Sequence, residues 1–164
     1  MARISGKSIL TLVVAALLLA TLPNVIRQFL QTGKFYPFSP QFFHDLLARL
    51  SGPGRMRFIF QPTVAILLGA RDGRKDARSG AAPYLQALFS KGVDRSGLLR
   101  SAWASTQNLA MIAILLDMIS QFLIFHEIHP GTALLVGPVL IALPYSASRG
   151  LTNRIARWRM SRQG

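Results

Sequence analysis

The chain contains no cysteine among its 164 residues, which excludes a disulfide framework, a thiolate metal site and a cysteine nucleophile. Acidic residues are also scarce: six Asp and Glu stand against nineteen Lys and Arg, so the net charge is +13. No basic stretch is interleaved with aromatic residues, and no signature of a nucleic-acid-binding fold is present. We therefore attribute the excess of Lys and Arg to retention on the cytoplasmic side of a membrane, and we expect no nucleic-acid partner.

Apolar residues are what the chain has in excess. Hydrophobic residues make up 51% of the sequence and charged residues only 15%. The apolar residues occur in blocks separated by basic segments, and such blocks are typical of several membrane spans. We predict one all-α membrane domain over residues 1–164 with four transmembrane helices, near residues 8–30, 56–72, 105–126 and 132–147.

The second predicted span leaves two interpretations open. The uncharged run from Phe58 to Ala70 has thirteen residues and gives only about 20 Å of helix, against a hydrocarbon core of about 30 Å. Either this short helix crosses a locally thinned bilayer, or it is re-entrant and the chain has three spans. Six charges follow at the membrane–water boundary and begin a predicted cytoplasmic loop over residues 71–103: Arg71, Asp72, Arg74, Lys75, Asp76 and Arg78.

Two amphipathic helices are predicted to lie in the membrane interface, near residues 39–51 and 148–161. Ser39 is the predicted N-cap of the first helix. Helical periodicity places Arg49 away from the apolar face of this helix, which consists of Phe42, Phe43, Leu46, Leu47 and Leu50. The second helix carries basic residues beside an apolar face. We expect it to bind the headgroups of anionic lipids through Arg154, Arg157 and Trp158.

The distribution of Lys and Arg predicts the orientation of the last two spans. Residues 71–103 contain seven of them, residues 147–164 contain five, and the turn at 126–131 contains none. By the positive-inside rule, the turn is outside, while the middle segment and the C-terminus are cytoplasmic. The location predicted is a bacterial inner membrane, which the protein crosses several times.

Asp117 is the residue that makes the strongest physical demand, because it lies in the middle of an apolar run. No Lys or Arg falls inside the apolar cores of the four predicted spans, which are Ile9–Leu22, Phe58–Ala70, Leu109–Phe125 and Ala133–Tyr145. An ion pair therefore requires Arg57 or Arg27 to bend inward, or a partner chain. Gln121 and Gln61 are candidate hydrogen-bond partners within the membrane. Burial alone favours the protonated form of the carboxyl group. A structural hydrogen bond, a proton or ion path and a docking contact all remain open.

The turn between the last two spans contains His126, Glu127 and His129. The spacing differs from the zinc-protease motif, in which the histidines are four residues apart. These three residues are weak candidates for a metal site, and we assign no metal, no cofactor and no catalytic residue.

Two segments carry a resemblance to known proteins. The block RFIFQPTVAILLGARDGRKDARSGAAPY and the ending ALPYSASRGLTNRIAR resemble a group of small uncharacterised bacterial integral membrane proteins, over roughly the last two thirds of the chain. The resemblance implies a class of protein and no particular activity, so it assigns no functional residue.

Three functional hypotheses follow. The leading one is a non-enzymatic accessory or scaffold protein that binds anionic lipid and a larger membrane complex, or itself, because no nucleophile–base set is present. The second is a small transporter or proton-conducting oligomer that uses Asp117. The third is a membrane enzyme built on the turn histidines or on the Asp72/Asp76 pair.

Overall fold

A computed structural model describes residues 6–32 and 40–162, which form six α-helices and no strand within those ranges. The helices are α1 (Gly6–Thr32), α2 (Pro40–Ser51), α3 (Arg57–Arg78), α4 (Tyr84–Phe89), α5 (Arg95–Phe125) and α6 (Pro130–Ser161). The all-α prediction is therefore confirmed. The predicted N-cap Ser39 lies outside the described residues.

Three helices are long and apolar enough to cross a membrane: α1, through Ile9–Arg27, α5 and α6. This agrees with a membrane protein. Helix α3 is not among them, since charged residues occupy its last two turns. Its uncharged part is too short to fill the membrane by itself, so the fourth span stays a prediction.

The predicted cytoplasmic segment 71–103 is largely helical: α3 continues through the charged block to Arg78, α4 follows, and α5 begins at Arg95. Its side of the membrane stays a prediction. The predicted interfacial helix at 148–161 is not separate from the last span, since α6 runs unbroken from Pro130 to Ser161.

The chain divides into two compact units, where the sequence predicted one domain. The first comprises Met1–Ile59 and Asn108–Val139. Its apolar core contains Val14, Ile114, Met118 and Ala133, packed by flanking leucine, isoleucine and methionine side chains. Gly137 allows close packing in this unit, because a Cβ there would lie 3.0 Å from the backbone nitrogen of Ile114.

The second unit comprises Phe60–Gln107 and Leu140–Gly164. Two glycines of α3 permit close contact with α6: a side chain at Gly69 would collide with the carbonyl oxygen of Tyr145, and one at Gly73 with that of Arg149. The Ser148 hydroxyl donates to the Ile66 carbonyl at 2.7 Å across the same contact. This backbone proximity brings the polar side chains of α3 and α6 within reach of each other.

Candidate functional site

The carboxylate of Asp117 on α5 is a polar group of the first unit that has no solvent exposure. Two guanidinium groups face it. Nη2 of Arg57, at the start of α3, lies 2.5 Å from Oδ1, and Nη1 of Arg49, on α2, lies 3.4 Å from both carboxylate oxygens. Both arginines are themselves buried. We call Arg49, Arg57, Asp117 and Gln121 the diarginine cluster.

Gln121 connects this cluster to the turn that follows α5. It lies one helical turn after Asp117, and its Nε2 donates to Oδ2 of Asp117 at 2.6 Å. Its Oε1 accepts a hydrogen bond from the backbone N–H of His129, also at 2.6 Å. The buried side chain of Gln121 thus forms hydrogen bonds with the carboxylate of Asp117 and with the backbone amide of His129 in the turn.

The diarginine cluster shows which of the partners left open by the sequence Asp117 has: it forms ion pairs with two arginines of the same chain. Of the partners that the sequence suggested, Arg57 and Gln121 do contact Asp117. Arg49 was missed.

Helix α2 shows why Arg49 was missed. Phe42 and Arg49, which are seven residues apart and share a face, are both buried, whereas Phe43, Leu47 and Leu50 are exposed. Most of the apolar face of α2 therefore points away from the rest of the first unit, and of that face Phe42 is buried. The available signal was the membrane class itself, because a helix surrounded by lipid turns its polar face inward.

Both arginines retain donor capacity that the cluster does not use. Nε and Nη2 of Arg49 and Nε of Arg57 are buried and have no hydrogen-bond partner within the described ranges, 6–32 and 40–162. Aromatic rings cover part of each guanidinium: Arg49 lies 5.7 Å from the ring centre of Phe125, and Arg57 lies 4.7 Å from that of Phe58. The cluster therefore carries one positive charge more than Asp117 neutralises.

The turn between α5 and α6 contains the weak candidates for metal ligands, His126, Glu127 and His129. His126 adopts a left-handed backbone conformation with φ 57°, and its amide donates to the Phe122 carbonyl at 3.0 Å, so it ends α5. Within the described residues, no group of three or more histidine or acidic side chains could hold a metal ion. His126, Glu127 and His129 instead line an open cavity of about 390 Å³ together with Thr21, Asn24 and Arg27.

His129 differs from the other turn residues because it is largely buried. Burial lowers the pKa of His129 below its usual 6.5 and outweighs the opposing effect of Glu127, whose carboxylate lies 3.8 Å away. Arg49 lowers the pKa further, and Asp45 raises it slightly. The imidazole is therefore neutral at pH 7.

The second unit contains another buried ionic group, on α3 and α6. Nε and Nη2 of Arg149 donate to the two oxygens of Asp76 at 2.7 and 3.0 Å, a bidentate pair. Nη1 donates to the Tyr145 hydroxyl at 3.1 Å, and that hydroxyl donates to Asp72 at 2.8 Å. We call Asp72, Asp76, Tyr145 and Arg149 the α3–α6 network.

Neighbouring groups enclose this network. The guanidinium of Arg149 lies 4.6 Å from the ring centre of Tyr84, on α4, and Nη2 also reaches the Ser101 hydroxyl at 3.4 Å. Burial raises the pKa of Tyr84, opposed by the nearby Arg149. One turn further along α6, Asn153 donates to the carbonyl of Ala81 at 3.1 Å. Four separate segments are thereby held against α6.

The acidic and the basic side chains of the charged block of α3 point in different directions. Asp72 and Asp76 point to α6, whereas Arg71, Arg74, Lys75 and Arg78 are all exposed. The predicted lipid-binding residues Arg154, Arg157 and Trp158 are exposed on α6. Gln61 is buried in the second unit, and its Nε2 has no hydrogen-bond partner in the described part of the chain.

Sequence reasoning assigned no role to Tyr145 and Arg149. The only signal for them was position: an arginine that follows an apolar run by a few residues is equally well explained by contact with lipid headgroups.

We compared the chain with protein-family models, curated proteins and solved structures, and none of them matches it.

Proposed function

We propose that this chain is a non-enzymatic accessory or scaffold protein of a bacterial inner membrane, which binds anionic lipid and docks onto a larger membrane complex. In this proposal α3 supplies a short fourth span, and the C-terminus is cytoplasmic. The buried ionic groups serve to fix the helices, and the outer surface makes the external contacts.

The observation that carries the proposal is the exposure of α1. Only 6% of its candidate span is buried within the chain, compared with 39% for α5 and 28% for α6. Large apolar side chains are exposed over most of the circumference of α1, and three of the most exposed lie seven residues apart, at Leu12, Leu19 and Ile26. A heptad interval keeps these side chains on one helix face, which suits contact with a helix of another membrane protein.

The transporter and enzyme alternatives receive less support from the geometry. Asp117 has no solvent exposure and is engaged by two guanidinium groups, which does not favour a role as a proton or ion carrier. Asp72 and Asp76 are engaged by Tyr145 and Arg149, which leaves neither of them available to a substrate or a metal ion.

The docking proposal is tested with the tagged full-length chain, purified from membranes in mild detergent and analysed by size-exclusion chromatography and mass spectrometry. We expect one membrane protein to co-purify stoichiometrically and to be lost when Leu12, Leu19 and Ile26 are replaced by Ala. The matched control replaces Leu123, Leu134 and Leu143, which are exposed on α5 and α6, and should retain the partner. A monomer without a partner, or equal loss in both variants, contradicts the docking proposal. A homo-oligomer instead favours the transporter alternative.

The orientation is tested by cysteine labelling, for which the cysteine-free chain is well suited. We expect Glu127→Cys, at an exposed position of the turn, to react with an impermeant reagent in intact spheroplasts. Ser79→Cys, exposed just after α3, should react only after permeabilisation. The reverse pattern of labelling overturns the proposed topology.

A further inference from the structure

The exposed face of α3 is more strongly basic than its sequence suggests. The charged block contains two carboxylates, but both are turned toward α6, where Tyr145 and Arg149 engage them. The cations of the block therefore face outward without the acidic residues that accompany them in sequence. Their positive potential is not neutralised locally.

Two of these cations, Arg74 and Arg78, border a groove between α3 and α6 of about 370 Å³. A third arginine, Arg159, borders it from α6, together with Thr152, Ile155 and Met160. Within residues 6–32 and 40–162, none of the three guanidinium groups takes part in an ion pair or hydrogen bond. Three like charges around one groove repel each other unless an anion lies between them.

The groove owes its shape to Gly73. A Cβ at that position would collide with the carbonyl oxygen of Arg149 and would lie 3.1 Å from Cβ of Thr152, so only glycine permits this approach of α3 to α6. The arginines of the two helices consequently border one groove and do not form two separate surfaces.

The groove also has an apolar part. Ile155 and Met160 are exposed, with 51% and 43% of their surfaces accessible, in the same groove as the guanidinium groups. A small soluble anion makes no use of such side chains, whereas a phospholipid places acyl carbons directly beside its phosphate. Basic pockets between membrane helices on the cytoplasmic side are suited to lipids with several phosphate charges.

We propose that the groove bordered by Arg74, Arg78 and Arg159 is a specific site for an anionic phospholipid headgroup, preferably one with two phosphate groups. The arginines bind the phosphate oxygens, and Ile155 and Met160 contact the proximal acyl chain. This inference rests on the proposed function, the binding of anionic lipid, and it specifies the binding site and the class of lipid bound there. It differs from the predicted contacts of Arg154, Arg157 and Trp158, none of which borders the groove.

The test uses the full-length protein in nanodiscs of phosphatidylcholine with a small fraction of fluorescent diphosphatidylglycerol, and it measures retention of that lipid near the protein. We compare Arg74→Gln/Arg78→Gln with the control Lys91→Gln/Arg100→Gln, which removes the same charge at exposed positions outside the groove. We expect the groove variant to bind the lipid about thirtyfold more weakly and the control to change binding by less than threefold. Arg154→Gln/Arg157→Gln removes the predicted headgroup contacts outside the groove and should weaken binding less than the groove variant does.

Equal weakening in all three variants means diffuse attraction of lipid and overturns the specific site. A second measurement adds inorganic diphosphate to the protein in detergent. Binding of diphosphate as tight as that of the lipid shows that the groove takes a soluble anion and also overturns the proposal. Thermal unfolding of each variant reports whether it is folded. If the groove double variant does not fold, Arg159→Gln provides an independent single change on α6. Loss of the partner protein in the co-purification experiment leaves these results unaffected.

Discussion

The two buried ionic groups of this protein have opposite charge balances. In the diarginine cluster, one carboxylate, Asp117, faces two guanidinium groups. In the α3–α6 network, one guanidinium, that of Arg149, contacts Asp76 directly and Asp72 through the Tyr145 hydroxyl. Both groups are buried and polar, but the first has excess cation and unused donors, whereas the second distributes its charge over several hydrogen bonds.

This difference predicts how each unit responds to mutation. A surplus carboxylate can take up a proton when its partner is lost, but an arginine does not give up its proton in a protein. The diarginine cluster therefore depends on Asp117, the carboxylate that both guanidinium groups contact. The α3–α6 network has partial redundancy, because Arg149 keeps the Tyr145 hydroxyl when Asp76 is changed, and Tyr145 keeps Asp72 when Arg149 is changed.

The largest expected effect is that of Asp117→Asn. The change leaves two buried guanidinium groups without a counter-charge, and the free energy of unfolding should fall by about 3–5 kcal/mol. The measurement is unfolding by denaturing detergent in mixed micelles. Glu127→Gln, an exposed carboxylate of the same unit, serves as control and should change stability by less than about 0.5 kcal/mol.

Replacing the three charged residues of the cluster by apolar residues tests whether unpaired charge is the cause of the loss. The triple variant Arg49→Met/Arg57→Met/Asp117→Leu should recover most of the stability lost in Asp117→Asn, since apolar groups often replace buried ion pairs without loss. A small loss in Asp117→Asn, comparable to that of the control, would contradict the assignment of two cations to one carboxylate.

Arg149→Lys should have an intermediate effect. Lysine keeps the charge but not the planar fork that binds both oxygens of Asp76 and reaches Tyr145, so we expect a loss of about 2–3 kcal/mol. The control is Arg154→Lys at an exposed position of the same helix. If the two variants are equally stable, the bidentate geometry does not matter for the second unit.

A smaller loss is expected for Gly73→Ala, about 1–2 kcal/mol, because its Cβ collides with the backbone of α6. Gly150→Ala is the matched control: its Cβ meets only Leu85, at 3.6 Å, and alanine favours the helix. We expect this control to be as stable as the original chain or more stable. The same unfolding assay distinguishes the two, and destabilisation of both to an equal degree would remove close packing as the cause.

The smallest effect concerns pH and the turn after α5. The lowered pKa of His129 means that the folded state binds this proton less readily than the unfolded state. Stability is therefore unaffected well above pH 6.5 and decreases as the pH falls below it. We expect the melting temperature to fall between pH 7.5 and pH 5 and His129→Gln to reduce that fall.

The sequence supplied the helices and their approximate bounds but few of the buried contacts. It identified Asp117 as a residue in need of partners and named Arg57 and Gln121, because a carboxylate in an apolar run restricts the choices. The sequence did not identify Arg49 as a partner of Asp117, since an arginine on an amphipathic helix is compatible with contact to solvent and with burial against other helices. The separate interfacial helix near 148–161 was also wrong, because a change in composition does not end a helix.

The sequence by itself determined the helical, membrane-compatible class of this protein, since blocks of apolar residues and the scarcity of charge within them are properties of local composition. It also determined that the carboxylates and arginines of α3 project in different directions, because successive helical residues differ by a fixed rotation. Only the tertiary structure decided which direction is the interior. The approach of α6 at Gly69 and Gly73 encloses Asp72 and Asp76 and leaves Arg74 and Arg78 outside. That choice depends on contacts between residues more than seventy positions apart, which no local pattern records.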